Sequence, residues 1–323
     1  MKKWLRFEVS VVLFALVISF LEGCKEKTSN EPQDLALNSE VASSSNESKT
    51  SAKKPLSEDF KNYWYAGDAE ITSYKLEQAR YGELREGEAV LIFVTEPFLP
   101  DVQVKADGSN SNNIPVLKLN ATKKYLTGIY PYSIMSSTFY PVHNNQHAIK
   151  SSLSVQEWCG QVYMQLNNRD NFEIMSHSYF ESEADQQLKL DKALLENEIW
   201  NKIRINPEGL PTGNIEIIPS LEYFRVQHKP VQAYAATAIL SKNGAVTTYA
   251  IDYSGTDRKL TINFSADFPY QIESWEEEFK SGFGANAKTM VSKGKKMKTL
   301  KTPYWKQNSN KYIALRDSLG LKI

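Results

Sequence analysis

The sequence predicts an α+β protein dominated by antiparallel β-structure, an open, strongly twisted sheet or half-barrel with a central helix near residues 188–204 and a short C-terminal helix. Three observations carry this expectation. Short apolar runs recur between clusters of Gly, Pro, Asn and Asp, the pattern of strands and their turns. Asn243-Gly244 separates two alternating segments, and that pair is favoured in two-residue hairpin loops. A helical period is convincing in the middle of the chain only at Leu188 to Arg204. The 17 Tyr residues suit a protein with many half-buried sheet faces.

The chain begins as a leader. Lys2, Lys3 and Arg6 form a positive segment, and Val9 to Leu21 is an apolar run too short to cross a bilayer comfortably. Leu21-Glu22-Gly23-Cys24 resembles a bacterial lipobox, although Glu22 stands where small or apolar residues are usual. The resemblance implies cleavage after residue 23 and acylation of the Cys24 thiol and its new amino group. Lys25-Glu26-Lys27 resembles the charged export tag of some Bacteroidota surface lipoproteins. The expected address is the cell envelope, lipid-anchored, with the outer membrane as the expected seat.

Residues 24–58 read as a tether. They are rich in Ser, Asn, Lys and Glu and lack aliphatic periodicity, so they cannot bury enough apolar area to offset ordering entropy. Pro55-Leu56-Ser57-Glu58 marks the start of folded structure, and residues 59–323 form one β-rich body, with possible lobes at 59–205 and 206–323.

Within the body, strands are expected at Ala69–Glu77, Ala89–Thr95, Val102–Ala106, Val116–Ala121, Ile129–Tyr140, Ala148–Leu166 and Phe172–Phe180. The helix from Leu188 to Arg204 places Leu188, Leu195, Ile199 and Ile203 on one face and Glu196, Asn197 and Lys202 outside. Asp191 could cap it, and Pro207 and Gly209 stop it. The hairpin from Val231 to Tyr253, turning on Asn243-Gly244, pairs Ser241 with Val246, Ala238 with Tyr249 and Ala236 with Ile251. It gathers Tyr234, Ala236, Ala238, Leu240, Tyr249 and Ile251 on one face. Alternation continues through Leu260, Ile262, Phe264, Tyr270 and Ile272, which makes a meander. A last helix spans roughly Ser309 to Ser318 and stops at Gly320.

Charge and cysteine content narrow the function classes. The chain has zero formal net charge, and removing residues 1–23 leaves it near −1. Nothing in this balance suggests a nucleic-acid partner. With Cys24 acylated, Cys159 has no partner for an internal disulfide.

Candidate sites are few. Strand alternation through Glu157-Trp158-Cys159-Gly160-Gln161 puts Cys159 on one face with Val155 and Tyr163, and Trp158 on the other. A nucleophilic thiol needs a base such as His143, His147, His177 or His228 and a lowered pKa. His143 and His147 have metal-like spacing, but their Asn-rich loop supplies no third ligand. Lys293, Lys295 and Lys296 lie in a Lys-rich strand that could meet anionic lipid headgroups, or serve as a solvated edge protected from aggregation. Glu276, Glu277 and Glu278 read as solvent-facing. Trp158, Tyr234 and Tyr249 are the aromatic candidates for a binding surface. No P-loop, dinucleotide fingerprint, Gly-x-Ser-x-Gly elbow or His-Glu-x-x-His motif occurs, so no cofactor is expected.

Several blocks together carry a family resemblance: Tyr63 to Gly82, Gly128 to Tyr140, Gln156 to Gly160, Asn214 to Phe224 and Phe268 to Glu276. They resemble a family of uncharacterised Bacteroidota, mostly flavobacterial, lipoproteins often labelled septum formation inhibitor Maf. True Maf proteins are cytoplasmic nucleotide pyrophosphatases with a Ser-x-Ser-Pro-Arg-Arg type motif, and this sequence has none. The resemblance carries over no functional residue. At the level of architecture the strands also look like the open half-barrels of lipoprotein carriers, whose concave face holds acyl chains. The expectation is therefore a non-catalytic envelope lipoprotein that binds an apolar ligand or an envelope partner through a sheet groove. The alternatives are a thiol enzyme using Cys159 with a His, and a structural or assembly protein docking through the basic strand.

Overall fold

Sixteen strands form one sheet in the computed structural model, which describes residues 55–143 and 146–321. The expected lipid site, Cys24, and nearly all of the tether lie outside the described residues. Ser57 opens the body: its hydroxyl accepts from the Phe60 N–H at 3.1 Å and caps helix α1 (Glu58–Trp64).

Strands β1 (Ala69–Arg80), β2 (Glu83–Leu99), β3 (Val104–Lys105), β4 (Ile114–Thr127), β5 (Tyr130–Pro141), β6 (Lys150–Glu157), β7 (Gly160–Asn168), β8 (Phe172–Ser178) and β9 (Gln186–Leu190) come first. Then follow β10 (Leu194–Leu195), helix α2 (Glu196–Ile205), β11 (Gly213–Ile218), helix α3 (Leu221–Gln227), β12 (Tyr234–Asn243), β13 (Val246–Tyr253), β14 (Arg258–Ser265), β15 (Ile272–Ser281), β16 (Lys288–Thr302) and the short helix α4 (Leu315–Ser318). The strand order is β10-β11-β12-β13-β14-β15-β16-β1-β2-β4-β5-β6-β7-β8-β9, with β3 paired to β2 off this path. Every pairing is antiparallel except the short β10–β11 contact. The fold class is thus the predicted one. β1 and β16 pair from Ala69↔Thr302 to Glu77↔Lys293, joining the two halves of the chain.

Chain connectivity forces this sheet to curl. Its two ends, β9 and β10, are separated only by residues 191–193. Laid flat, the fifteen strands of the path would span about 67 Å, whereas the link between Leu190 and Leu194 reaches about 14 Å at most. The sheet must therefore wrap back on itself. Helices α1, α2 and α3 supply side chains to the core on its inner face: Trp64, Ile199, Ile203, Leu221 and Phe224 join Tyr74, Leu91, Leu119, Ile134, Met164, Tyr249, Ile262 and Trp275. A smaller apolar cluster on other side chains of β1 and β2 takes Leu319 and Leu321 from the C-terminal segment onto Ile71 and Val94.

Several expected details differ. The predicted helix over 188–204 begins later, at Glu196, because Leu188 and Leu190 serve strand β9, where Leu188 faces Ile174 across the ladder. Leu195, not Asp191, is the N-cap, and it makes no side-chain cap bond. Glu196 and Lys202 are buried rather than outside. In the β12–β13 hairpin the register is shifted by two residues: Asn243 pairs with Val246, Leu240 with Tyr249 and Ala238 with Ile251. Gly244-Ala245 make the turn, with Gly244 at φ +61°, so glycine takes the first central position as in a type II′ loop. An even shift preserves the faces, so Ala236, Ala238, Tyr249 and Ile251 still point into one core. The span 148–166 is two strands, not one, and the Lys-rich β16 is central between β15 and β1, not an edge. The C-terminal helix is reduced to a 3₁₀ turn at Asn310–Tyr312 followed by α4.

Candidate functional site

The antiparallel pairings send β1, β4, β6, β8, β13 and β15 toward one rim of the sheet. Four of the turns there expose large apolar side chains. Ile129 in the β4–β5 turn is 82% exposed, Tyr179 after β8 77%, Phe283 between β15 and β16 69%, and Trp158 in the β6–β7 turn 68%. Leu84 and Leu126 are exposed beside the first turns. Most of these side chains adjoin one another through a run of aromatics. Phe283 stacks on Tyr81 at 5.6 Å; the Tyr81 and Tyr132 hydroxyls are 2.8 Å apart; Tyr132 lies 6.0 Å from Tyr130, which stacks on Trp158 at 6.3 Å. Tyr179 closes the run by lying over Gly160, where an added Cβ would come 2.7 Å from its ring.

The local sequence explains the projection. Tyr81-Gly82 is a two-residue turn with both residues at positive φ, +56° and +79°, as a type I′ hairpin requires. A tyrosine in that conformation is strained by about 1 kcal/mol. Beneath it the Arg80 guanidinium lies 4.2 Å from the ring centroid and donates to the Val226 carbonyl at 2.8 Å. The turn is thus held from below while its ring faces Phe283.

The candidate residues fall in different places. Trp158 is on the rim. Cys159 is beside it in the same turn, exposed, and not mid-strand as alternation implied. The Glu157 carboxylate, hydrogen-bonded to the thiol and to the Cys159 N–H, pushes the thiol pKa up, the opposite of what a nucleophile needs. His147 turns inward: its Nδ1 lies 3.1 Å from Glu198, and its ring edge meets Phe172. His143 does not join it in a ligand set, and among the described residues no three His, Cys, Asp or Glu side chains converge on a metal position. Tyr249 is fully buried in the core with its hydroxyl on the Pro211 carbonyl at 2.7 Å. Tyr234 is half-buried and donates to the Pro230 carbonyl at 3.0 Å. Lys293 pairs with Glu276 at 3.0 Å and Lys296 with Glu273 at 2.5 Å, while Lys295 is exposed. Strand β15 thus answers the charge of β16, and the segment is no bare basic patch. Glu277, expected in solvent, points inward instead and pairs with Arg258 at 2.7 Å.

The inner face is not an open apolar groove. Helix α2 fills it, anchored by buried charges. Arg204 forms a two-pronged pair with Glu70, each contact 2.7 Å, and Tyr63 donates to the same carboxylate. Arg258 bridges Glu196 and Glu277, and the Tyr253 hydroxyl also donates to Glu196. Glu198 accepts from the Ala148 N–H at 2.6 Å. Burial alone would raise the Glu70 and Glu196 carboxyls, but the Arg204 and Arg258 charges overcome it and hold both below the ordinary carboxylate range. What remains between α2, α3 and the sheet is a cavity of about 60 Å³ lined by Lys123, Glu196, Trp200, Glu222, Trp275 and Glu277. That is room for a few waters and not for an acyl chain.

Reasoning from the sequence missed Ile129, Tyr179 and Phe283. The available signal was an apolar residue beside glycine at a turn, as in Gly128-Ile129 and Gly282-Phe283. Comparisons with protein-family models, curated proteins and solved structures find no match. Among the described residues, no helix is long and apolar enough to cross a membrane.

Proposed function

We propose that this chain is a non-catalytic envelope protein, held to the outer membrane by a lipid on Cys24, whose body docks an apolar face of another envelope protein through the Trp158 rim. One observation carries the reading. Four separate turns place Ile129, Trp158, Tyr179 and Phe283 at the same end of one sheet, each more than two-thirds exposed. Scattered exposed apolar residues need no explanation, but a row of them at one rim does. The composition, with Trp, four Tyr and Phe in the run and few charges within it, is that of a protein interface core.

Topology supports a protein partner over the anchoring bilayer. The tether joins the body at α1, immediately before β1 begins at the opposite rim. The Trp158 rim lies about 40 Å farther on, at the end of the twelve-residue strand β1. It lies at the other end of β1 from residue 55, where the described body begins. The lipoprotein leader and the family resemblance are consistent with this placement.

Purification of the full-length chain from its native envelope after chemical crosslinking tests the reading. The wild type should carry one discrete protein at near-equal stoichiometry. A variant with Ile129→Ser, Trp158→Ser, Tyr179→Ser and Phe283→Ser should lose it while staying membrane-attached and folded. Equal recovery of the same proteins by both forms would refute docking at this rim. A wild type recovered only with lipid, or only with itself, would replace the protein partner by a bilayer or a second copy.

A further inference from the structure

Beyond the Tyr179 end of the aromatic run, a second feature has no role in the docking proposed above. A cavity of about 280 Å³ lies where the β8–β9 connection meets the end of α3, lined by Met164, Ser176, Ser182, Gln186, Phe224 and Arg225, with His228, Lys229 and Val231 at its margin. Arg225 is its central charge and is only 5% exposed. The guanidinium lies 4.4 Å from the Phe180 ring centroid, and Nη1 donates to Glu183 at 3.2 Å. Its Nε is buried with no partner among the described residues, and Nη2, which makes no bond to them, is open to solvent.

A buried Nε–H with no acceptor is costly unless something accepts from it. The polar groups around it are not the missing acceptors. Both oxygens of Glu183 are taken, one by Arg225 and by His228 Nδ1 at 2.7 Å, the other by the Ser178 hydroxyl at 2.7 Å. The carbonyls at the end of α3 are also occupied. Phe224 O accepts from the His228 and Lys229 N–H groups, and Val226 O accepts from Arg80. Lys229 is exposed at the mouth and adds a second positive charge. Against the single carboxylate of Glu183, the lining is net positive. Met164, Phe224 and Val231 make up the apolar part of the lining.

We propose that this cavity is a binding site for an oxyanion, a phosphate or a carboxylate, that carries a short apolar group. The flat guanidinium fork presents Nε and Nη2 side by side, the arrangement that meets two oxygens of one such group. Lys229 and Ser182 close on its remaining oxygens, and the apolar appendage lies against Met164 and Val231. The backbone has left-handed residues on both sides, Ala184 at φ +50° and His228 at φ +49°, a strain of the sort that collects at ligand sites. The ligand could be a small soluble acid or the headgroup of a phospholipid, since both offer the same oxygens.

Titration of the full-length, detergent-solubilised chain with inorganic phosphate, hexyl phosphate, hexanoate and phosphatidylglycerol vesicles tests this, followed by the NMR signal of the Arg225 Nε–H. Hexyl phosphate or hexanoate should shift that signal and bind more tightly than inorganic phosphate. A response to vesicles and not to the soluble acids assigns the headgroup; the reverse assigns a soluble ligand. Glu183→Gln removes the competing carboxylate and should tighten binding roughly tenfold, while Lys229→Glu should weaken it roughly fivefold. If no probe moves the Nε–H signal at millimolar concentration, or if Glu183→Gln lowers stability without tightening binding, the cluster is a structural ion triad and the proposal is wrong. None of these outcomes depends on the Trp158 rim.

Discussion

Helix α2 and the Trp158 rim invert the usual distribution of side chains in opposite ways. Inside the sheet, α2 buries Glu196, Glu198, Lys202 and Arg204. At the rim, Ile129, Trp158, Tyr179 and Phe283 stand in water. The inner inversion is closed: Glu70 answers Arg204, Arg258 answers Glu196, and the Ala148 N–H answers Glu198. The outer one is open, since Trp158 and Phe283 each rest one side on a less exposed tyrosine, Tyr130 and Tyr81, and leave the rest to solvent. Charges that are fully paired explain themselves as parts of a fixed core. Apolar groups this exposed gain little from folding, which is why the docking proposed above rests on them.

That contrast predicts very unequal effects of substitution. Arg204→Met should be the most damaging, because it strands the buried Glu70 carboxylate; equilibrium unfolding in urea should show a loss of about 3–5 kcal/mol. Acid should act on the same anchors. Glu70 and Glu196 have folded-state pKa values below their unfolded ones, so their contribution is full above the unfolded value of about 4.3 and is lost as pH falls through the folded values. Thermal unfolding measured between pH 7 and pH 3 should be flat at first and then drop. The drop should be smaller when Glu70→Gln removes one titrating group. A drop unchanged by that substitution would mean the anchors do not govern acid stability.

Steric closure of the interior comes next in size. Gly294 in β16 faces Trp275 across the ladder, and a Cβ added there would lie 2.2 Å from the indole. Gly294→Ala should therefore cost about 1–3 kcal/mol in the same urea assay, and a neutral result would show the Trp275 ring free to move. The rim should respond least. Trp158→Ser and Phe283→Ser should each change stability by less than about 0.5 kcal/mol. A loss comparable to that of Gly294→Ala would place these rings in the core, not on a docking surface.

The two regions also differ in how far the sequence revealed them. The antiparallel meander was legible, because alternation and turn residues are local: the faces of β12 and β13 are right even though their register is displaced by two. The polar interior was not legible. By its own period α2 places Glu196 and Lys202 outward, and the residues that draw them in, Arg258 on β14 and Tyr140 on β5, are distant in sequence. Strand β16 read as a Lys-protected edge because its pairing with β1 spans more than two hundred residues. Trp158-Cys159 read as mid-strand because the turn uses apolar residues, and only Gly160 marks the reversal. The rim stayed hidden for the same reason, since an apolar side chain at a turn tip looks in sequence like one more core position.

Photocrosslinking in living cells compares the rims directly. A photoreactive residue would be placed singly at 129, 158, 179 and 283, and at 244 and 245 in the turn of the opposite rim. The account predicts one shared protein adduct from the first four positions and none from the last two. The same adducts from both rims, or none from the first, would contradict it.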